Sequence, residues 1–263
     1  MVTVDDLTKG LRLAVLQVGY EQRSYWRNPT AALFTFAFPV IFLVIFGFSS
    51  GNHEIGSLLP GVRLEQYYVP SILTYGLTSA CLSNLAVSMT FRRDQGILKR
   101  VRGTPLPTWA YLGGAVGSSL VVSLVLAVVT IGFGVGFFHV PFPHQIPALV
   151  VGVLVGAVAF CALGLAVATV VPNADAAPPM VNIVMFALLF ISGTFYPVDP
   201  KSGLAHVAGL FPVVHLKDAL LDAVIPLSGH PVWDWRDLRV VALWGAGGLF
   251  FAARRWRWET KQG

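Results

Sequence analysis

Phe91-Arg-Arg-Asp-Gln-Gly-Ile-Leu-Lys-Arg-Val-Arg-Gly-Thr-Pro-Leu-Pro107 gathers five of the chain's 18 basic residues between Arg92 and Arg102. Uncharged blocks flank it: residues 66–91 before, and residues 103–174 after, broken only by His139 and His144. A bilayer crossing takes about 20 apolar residues, so both blocks are long enough to span. A basic island between two spans marks a loop on the cytoplasmic face. The island itself reads as a short basic amphipathic helix with Asp94, Leu98 and Val101 on one side, stopped by Gly103-Thr104-Pro105.

Working outward, residues 28–52, 176–198 and 240–253 are also free of charge. Only 31 of the 263 residues are Lys, Arg, Asp or Glu, while 55% are apolar, and this excludes an ordinary soluble enzyme. The pattern predicts an all-α membrane protein, one transmembrane domain over 1–263 with six spans. They fall at about 30–48 with Pro39 inside, 67–91, 109–138, 147–171, from Pro178-Pro179 to 193–200, and 238–253 with Arg239 snorkelling at its edge. Residues 3–27 predict an amphipathic interfacial helix: Thr3 as cap with Asp6 three positions on, an apolar stripe of Leu7, Leu11, Ala14, Val18 and Tyr25, and Lys9, Arg12, Arg23 and Arg27 off it. Residues 201–236 are neither span nor plain loop. Leu216, Leu220, Ala223 and Val224 share a face opposite Lys217, Asp218 and Asp222, which predicts short outer helices lying in or re-entering the interface.

Basic residues set the expected orientation. With the N-terminus inside, 13 fall on inner segments and five (Arg63, Lys201, Lys217, Arg236, Arg239) on outer ones, so both termini are expected in the cytoplasm. All six histidines then lie outside, scattered over three loops without metal-ligand spacing. Cys81 and Cys161 sit in apolar blocks and carry no redox signal, and no cleavable leader is legible before the first span. Gly113/Gly117, Gly132/Gly136 and Gly152/Gly156 have GxxxG spacing, which suits a dimer face or, more simply, packing within one bundle.

Several chemistries are excluded. A nucleotide loop would need GxxxxGK[ST], and the nearest match, Gly56-Ser-Leu-Leu-Pro-Gly61, continues Val62-Arg63. The spans carry no ionisable residue for ion coupling. The basic residues form no stripe with exposed aromatics, so nucleic acid is not expected as a partner. A membrane-embedded lipid-linked transferase, the competing class, would need clustered carboxylates, and inner-side Asp94, Asp175 and Glu259 are far apart in sequence. Polar Ser79, Ser83, Asn84, Ser88 and Asn182 interrupt the second and fifth spans. They read either as a substrate path along spans one, two and five or as helix-to-helix hydrogen bonds.

The segment 91–107 resembles the cytoplasmic signature loop of the type-2 ABC exporter permeases, the group that includes daunorubicin and antibiotic exporters. Arg93, Asp94, Gly96, Leu98, Lys99, Arg100, Arg102, Thr104, Pro105 and Leu106 fit that pattern, with Ile97 where threonine is usual. Tyr25-Trp-Arg-Asn-Pro29, Phe195-Tyr-Pro197, Phe211-Pro-Val-Val-His-Leu-Lys-Asp-Ala-Leu220 and Arg254-Arg-Trp-Arg-Trp258 are similar to other family landmarks in the same order. The resemblance implies a half-transporter in the plasma membrane that works with a second permease copy or paralogue. A separate ABC ATPase binds the ATP and Mg; this chain holds no cofactor and is not itself an enzyme. For ATPase coupling it implies Asp94, Gly96, Leu98, Lys99, Arg100, Arg102, Thr104 and Pro105, with the 3–27 helix and lipid headgroups alongside.

Overall fold

The computed structural model describes residues 4–50, 55–56, 61–199, 201–225 and 233–256. Thr3, the loop histidines His53 and His230, and the end of the basic tail from Arg257 lie outside the described residues. Every regular element among the described residues is helical: α1 (Val4–Trp26), α2 (Pro29–Ser50), α3 (Leu64–Leu77), a π-helical turn (Thr78–Ser83), α4 (Asn84–Asp94), α5 (Ile97–Arg102), α6 (Thr108–Phe138), α7 (Ile146–Val170), α8 (Ala177–Ile191), α9 (Gly203–Ala208), α10 (Pro212–Val224) and α11 (Trp235–Arg255).

Among the described residues four helices are long and apolar enough to cross a membrane: the α2 segment Ala32–Ser49, the run Leu64–Asp94 through α3, the π turn and α4, then α6 and α7. The fifth predicted span is shorter than expected. At 15 residues α8 rises about 22 Å, less than the ~30 Å hydrocarbon core. Ser192 and Gly193 break it: Gly193 takes φ 70°, and Thr194 N–H returns to the Leu189 carbonyl. The 21 residues of α11 give about 31 Å, a span's length, although its first turns carry Asp237 and Arg239.

α3 is the centre of the bundle, with nearly every residue from Glu65 to Leu77 buried. The run it begins does not stay regular. Asn84 N–H bonds to the Ser79 carbonyl five residues back instead of four, and the widened turn presses on α7. A Cβ on Gly164 would sit 2.7 Å from the Leu82 carbonyl oxygen and 3.0 Å from that of Cys81, so only glycine admits this approach. On the other side Cys81 Sγ meets Ser123 Oγ of α6 at 3.1 Å.

The paired glycines divide between the two readings. Gly152 and Gly156 receive Leu220 and Leu216 of α10, and Gly117 receives Val18 of α1, whereas nothing approaches Gly113, Gly132 or Gly136. α10 does not lie on the surface with one wet face. Lys217 and Asp222 are buried along with Val213, Leu216, Leu220 and Ala223. Its C-terminus meets the start of α7, where Gln145 N–H donates to the Ala223 carbonyl. Toward its other end Trp244 of α11 donates to the Leu210 carbonyl at 3.1 Å, so the stretch before α10 packs against the middle of α11.

Candidate functional site

The basic island is two pieces, not one helix. α4 runs on to Asp94 and ends in a glycine stop: Gly96 adopts φ 68°, a left-handed conformation that costs an L side chain about 1–2 kcal/mol, and α5 starts afresh at Ile97. The break gives neighbouring cations different surroundings.

Arg93 turns inward and is buried. Its Nη1 donates to the Ala168 carbonyl at 2.9 Å, and its Nη2 donates to the Val171 carbonyl at 2.6 Å and to that of Pro172 at 3.3 Å. These are the carbonyls that the end of α7 leaves without helical partners, so the guanidinium caps that helix and complements its dipole. Asp94 serves the same corner from the other side, accepting the Ala174 N–H through Oδ2. Arg92 turns toward α1 and forms a two-pronged bond to Glu21, Nη1 to Oε1 and Nη2 to Oε2, both at 2.6 Å. Its Nη1 also donates to the Tyr111 hydroxyl of α6 at 3.0 Å. α4 is thereby tied to α1, α6 and α7 within three consecutive residues.

α5 projects beyond this anchor. Leu98 is buried and Val101 half-buried, packing the helix down, and this agrees with the side predicted for Asp94, Leu98 and Val101. Lys99, Arg100 and Arg102 are exposed, as are Thr104 and Pro105. Arg100 Nη2 reaches back to the Gln95 carbonyl at 3.3 Å, and Thr104 Oγ1 donates to the Val101 carbonyl at 2.7 Å, stopping the helix before Pro105. Of the eight residues predicted for coupling, Asp94, Gly96 and Leu98 therefore shape the corner, while Lys99, Arg100, Arg102, Thr104 and Pro105 form its outward surface.

α1 packs along α6 through residues the predicted stripe only half contains. Gly10 meets Trp109, Gln17 meets Gly114 and Val18 meets Gly117, while Leu11 is exposed beside Leu13, Val15 and Leu16. Gln22 Nε2 donates to Ser118, both to its carbonyl at 2.8 Å and to its hydroxyl at 3.0 Å. Between α1, α4 and α6 opens a cleft of about 200 Å³ that Asn84 and Ser88 help line. The other path candidates lie elsewhere: Ser83 Oγ donates to Asn182 Oδ1 at 3.2 Å, joining the π turn to α8, and Ser79 lines none of the described cavities.

A second cavity, of about 450 Å³, opens at the other end among α3, the turn after α8, α9, α10 and the start of α11. Buried Lys217 donates to the Tyr67 hydroxyl at 3.3 Å and to the Ser192 carbonyl at 3.2 Å, and pairs with Asp218 at 3.3 Å. Burial depresses the ammonium's pKa, but Asp218 and the Tyr67 hydroxyl more than offset it, so the charge persists. His215 Nδ1 sits 2.8 Å from Asp237 Oδ1, and that hydrogen bond raises the imidazole above its ordinary range. No group of three or more His, Cys, Asp or Glu with metal-holding geometry occurs among the described residues.

The sequence reading missed Glu21, Tyr111, Arg93's inward turn and the His215–Asp237 pair. One signal was available: Glu21 is the one acid in the second half of α1, four residues from Gln17, which donates to it at 3.2 Å.

An all-helical bundle with bilayer-length apolar helices and a basic surface fixed at one end defines a membrane permease. Residues 16–225 match the ABC-2 type transporter family, and the chain belongs to it, a family of membrane-embedded transport subunits. Over 175 residues it is 22% identical to the probable multidrug ABC transporter permease YbhR of Escherichia coli K12, and equally to the same protein of strain O157:H7. The alignment covers 63% of this chain and 48% of those proteins, so the chain spans about half the length of the curated relatives it matches.

Proposed function

We propose that the chain is the transmembrane subunit of an ATP-driven exporter. It would pair with a second permease copy or a paralogue and move an amphipathic or hydrophobic substrate, such as a drug, antibiotic or lipid, out of the cytoplasm. A separate ABC ATPase binds ATP and Mg and hydrolyses the ATP. The observation that carries this reading is the contrast at 92–105: a corner braced to three helices and, standing on it, an outward ridge of Lys99, Arg100 and Arg102. A rigid basic ridge is what a cleft in a motor subunit can push without the push dissipating in a flexible loop. Six spans with both termini cytoplasmic complete the proposal, α8 and the chain up to Tyr196 forming the fifth and α11 the sixth. The kinship to a probable multidrug permease supports the drug branch of the substrate class.

The test is co-purification of the tagged chain in detergent, followed by the same pull-down of Arg100→Glu. An ABC ATPase is expected with the wild type and at least tenfold less with the variant, since reversing one interfacial charge costs ~2 kcal/mol or more. Equal recovery from both, with transport intact, would return the ridge to an anchor for lipid headgroups. Orientation is checked separately: a cysteine at His206 reacts with an impermeant thiol reagent in intact cells, and one at Gln95 does not.

A further inference from the structure

The cleft between α1, α4 and α6 has a polar lining on the flank of an apolar bundle, with Ser24 and Asn84 exposed. Ser24, Asn28, Asn84, Ser88, Ser118 and Ser119 all face it, with the Glu21–Arg92 pair at one end. Eight residues of α4 separate Arg92 from Asn84, about 12 Å of rise, so the polar wall runs from the charged end of the helix well into its apolar length. Hydroxyl and amide groups that face the apolar part of a bilayer are costly unless something bonds to them. Ser118 is held by Gln22, but among the described residues no protein group bonds to the side chains of Ser24, Asn84 or Ser88.

From this we infer that the cleft binds the uncharged, hydroxyl-rich head of an amphipath, with the apolar tail lying outside along the helices. Three features select that chemistry. The cleft's two charged side chains are spent on each other, Arg92 and Glu21 being joined by two bonds of 2.6 Å with Tyr111 on the remaining side, so the lining carries no net charge to hold an ionic head. Serine and asparagine both donate and accept, which complements a hydroxyl and gives no preference to a phosphate or an ammonium. At about 200 Å³ the space is below that of pockets enclosing a whole drug-sized molecule, but it accommodates one compact head, with buried Leu85 and Met89 supplying its apolar side. The head comes from a resident glycolipid or from cargo awaiting export; the second source rests on the exporter reading.

The probes are three diacyl lipids carrying a photoactivatable diazirine near the head: a monoglucosyl diacylglycerol, a phosphatidylcholine and a phosphatidylglycerol, each in trace amount in phosphatidylcholine/phosphatidylglycerol vesicles containing the purified chain. Labelled peptides are mapped by mass spectrometry. The glucosyl probe is expected to mark residues 84–89 and 115–119 in excess over both others. Ser88→Ala should lower that labelling about fivefold, the worth of one hydrogen bond, and Ser88→Thr, which keeps the hydroxyl, should restore it. Asn84→Leu, at an exposed position that tolerates the change, should act like Ser88→Ala. Equal labelling by all three probes, or labelling indifferent to these variants, would overturn the site. Adding the co-purified ATPase with ATP separates the sources: depletion of the label marks cargo, persistence marks resident lipid, and both keep the site. The labelling step needs no ATPase, so failure of the exporter reading would leave its outcome intact.

Discussion

Arg92 and Arg93 lie within ten residues of Lys99, Arg100 and Arg102, in one run that the sequence presents as a uniform basic patch. The structure divides it at Gly96. Upstream, each guanidinium is consumed by the protein, one by a carboxylate and a hydroxyl, the other by three backbone carbonyls. Downstream, the cations face out and Leu98 alone of α5 is fully buried. Equal charge in one loop thus does opposite work: the first pair fixes where the loop stands, and the second group is what the loop presents.

The comparison breaks or sharpens by substitution, read as unfolding of the purified chain in detergent. Arg93→Leu removes charged donors from three carbonyls at the end of α7 and should cost about 3 kcal/mol, the largest loss of the series. Glu21→Gln should cost about 1–2 kcal/mol, because it leaves the half-buried Arg92 without its carboxylate, and adding Arg92→Gln should cost less than the sum of the two singles. Gly96→Val places a branched side chain at φ 68° and should cost about 1–2 kcal/mol, with Gly96→Asn nearer wild type. Arg100→Ala should stay within about 0.5 kcal/mol. A loss above ~1 kcal/mol for Arg100→Ala, or no loss for Arg93→Leu, would erase the distinction between bracing and presenting cations.

A pH series sharpens a separate joint. His215 links α10 to α11 through Asp237 and has its pKa raised by that bond, so its charged form is favoured by folding. The stability it adds is present in full at acid pH, below the free imidazole's pKa, and is lost as pH rises through the raised value. Unfolding temperature should therefore fall more steeply from neutral pH upward in wild type than in His215→Gln.

Much of the fold was legible because membrane helices announce themselves by length and apolarity alone. Four bilayer-length helices begin and end within about three residues of the expected α2, α3–α4, α6 and α7 boundaries. The side of α5 that packs down was legible too, because Leu98 and Val101 stand out in a basic run. What the sequence could not convey was which cation turns which way. Arg93 reaches carbonyls 75 to 79 residues ahead and Arg92 reaches an acid 71 residues behind, and no local period encodes such meetings. α10 was read as amphipathic because its charges looked solvated. Lys217 is instead buried against Tyr67 and Ser192, partners from α3 and from the end of α8.

The π turn at Thr78–Ser83 also acts as a spacer in rotational phase. A wide turn accommodates one residue more than the α-helix around it would, and each helical residue accounts for about 100° of rotation. Delete one residue there and the helix could heal in phase; tighten the turn to α-helical geometry with every residue kept, and everything after it would swing by roughly that angle. Ser88 would leave its cleft, Arg92 would swing away from Glu21, and Arg93 would lose the end of α7. The side chains of the inner corner are thus timed by an irregularity some ten residues upstream, near the middle of the helix, and Gly164 is the notch on α7 that holds the timing in place.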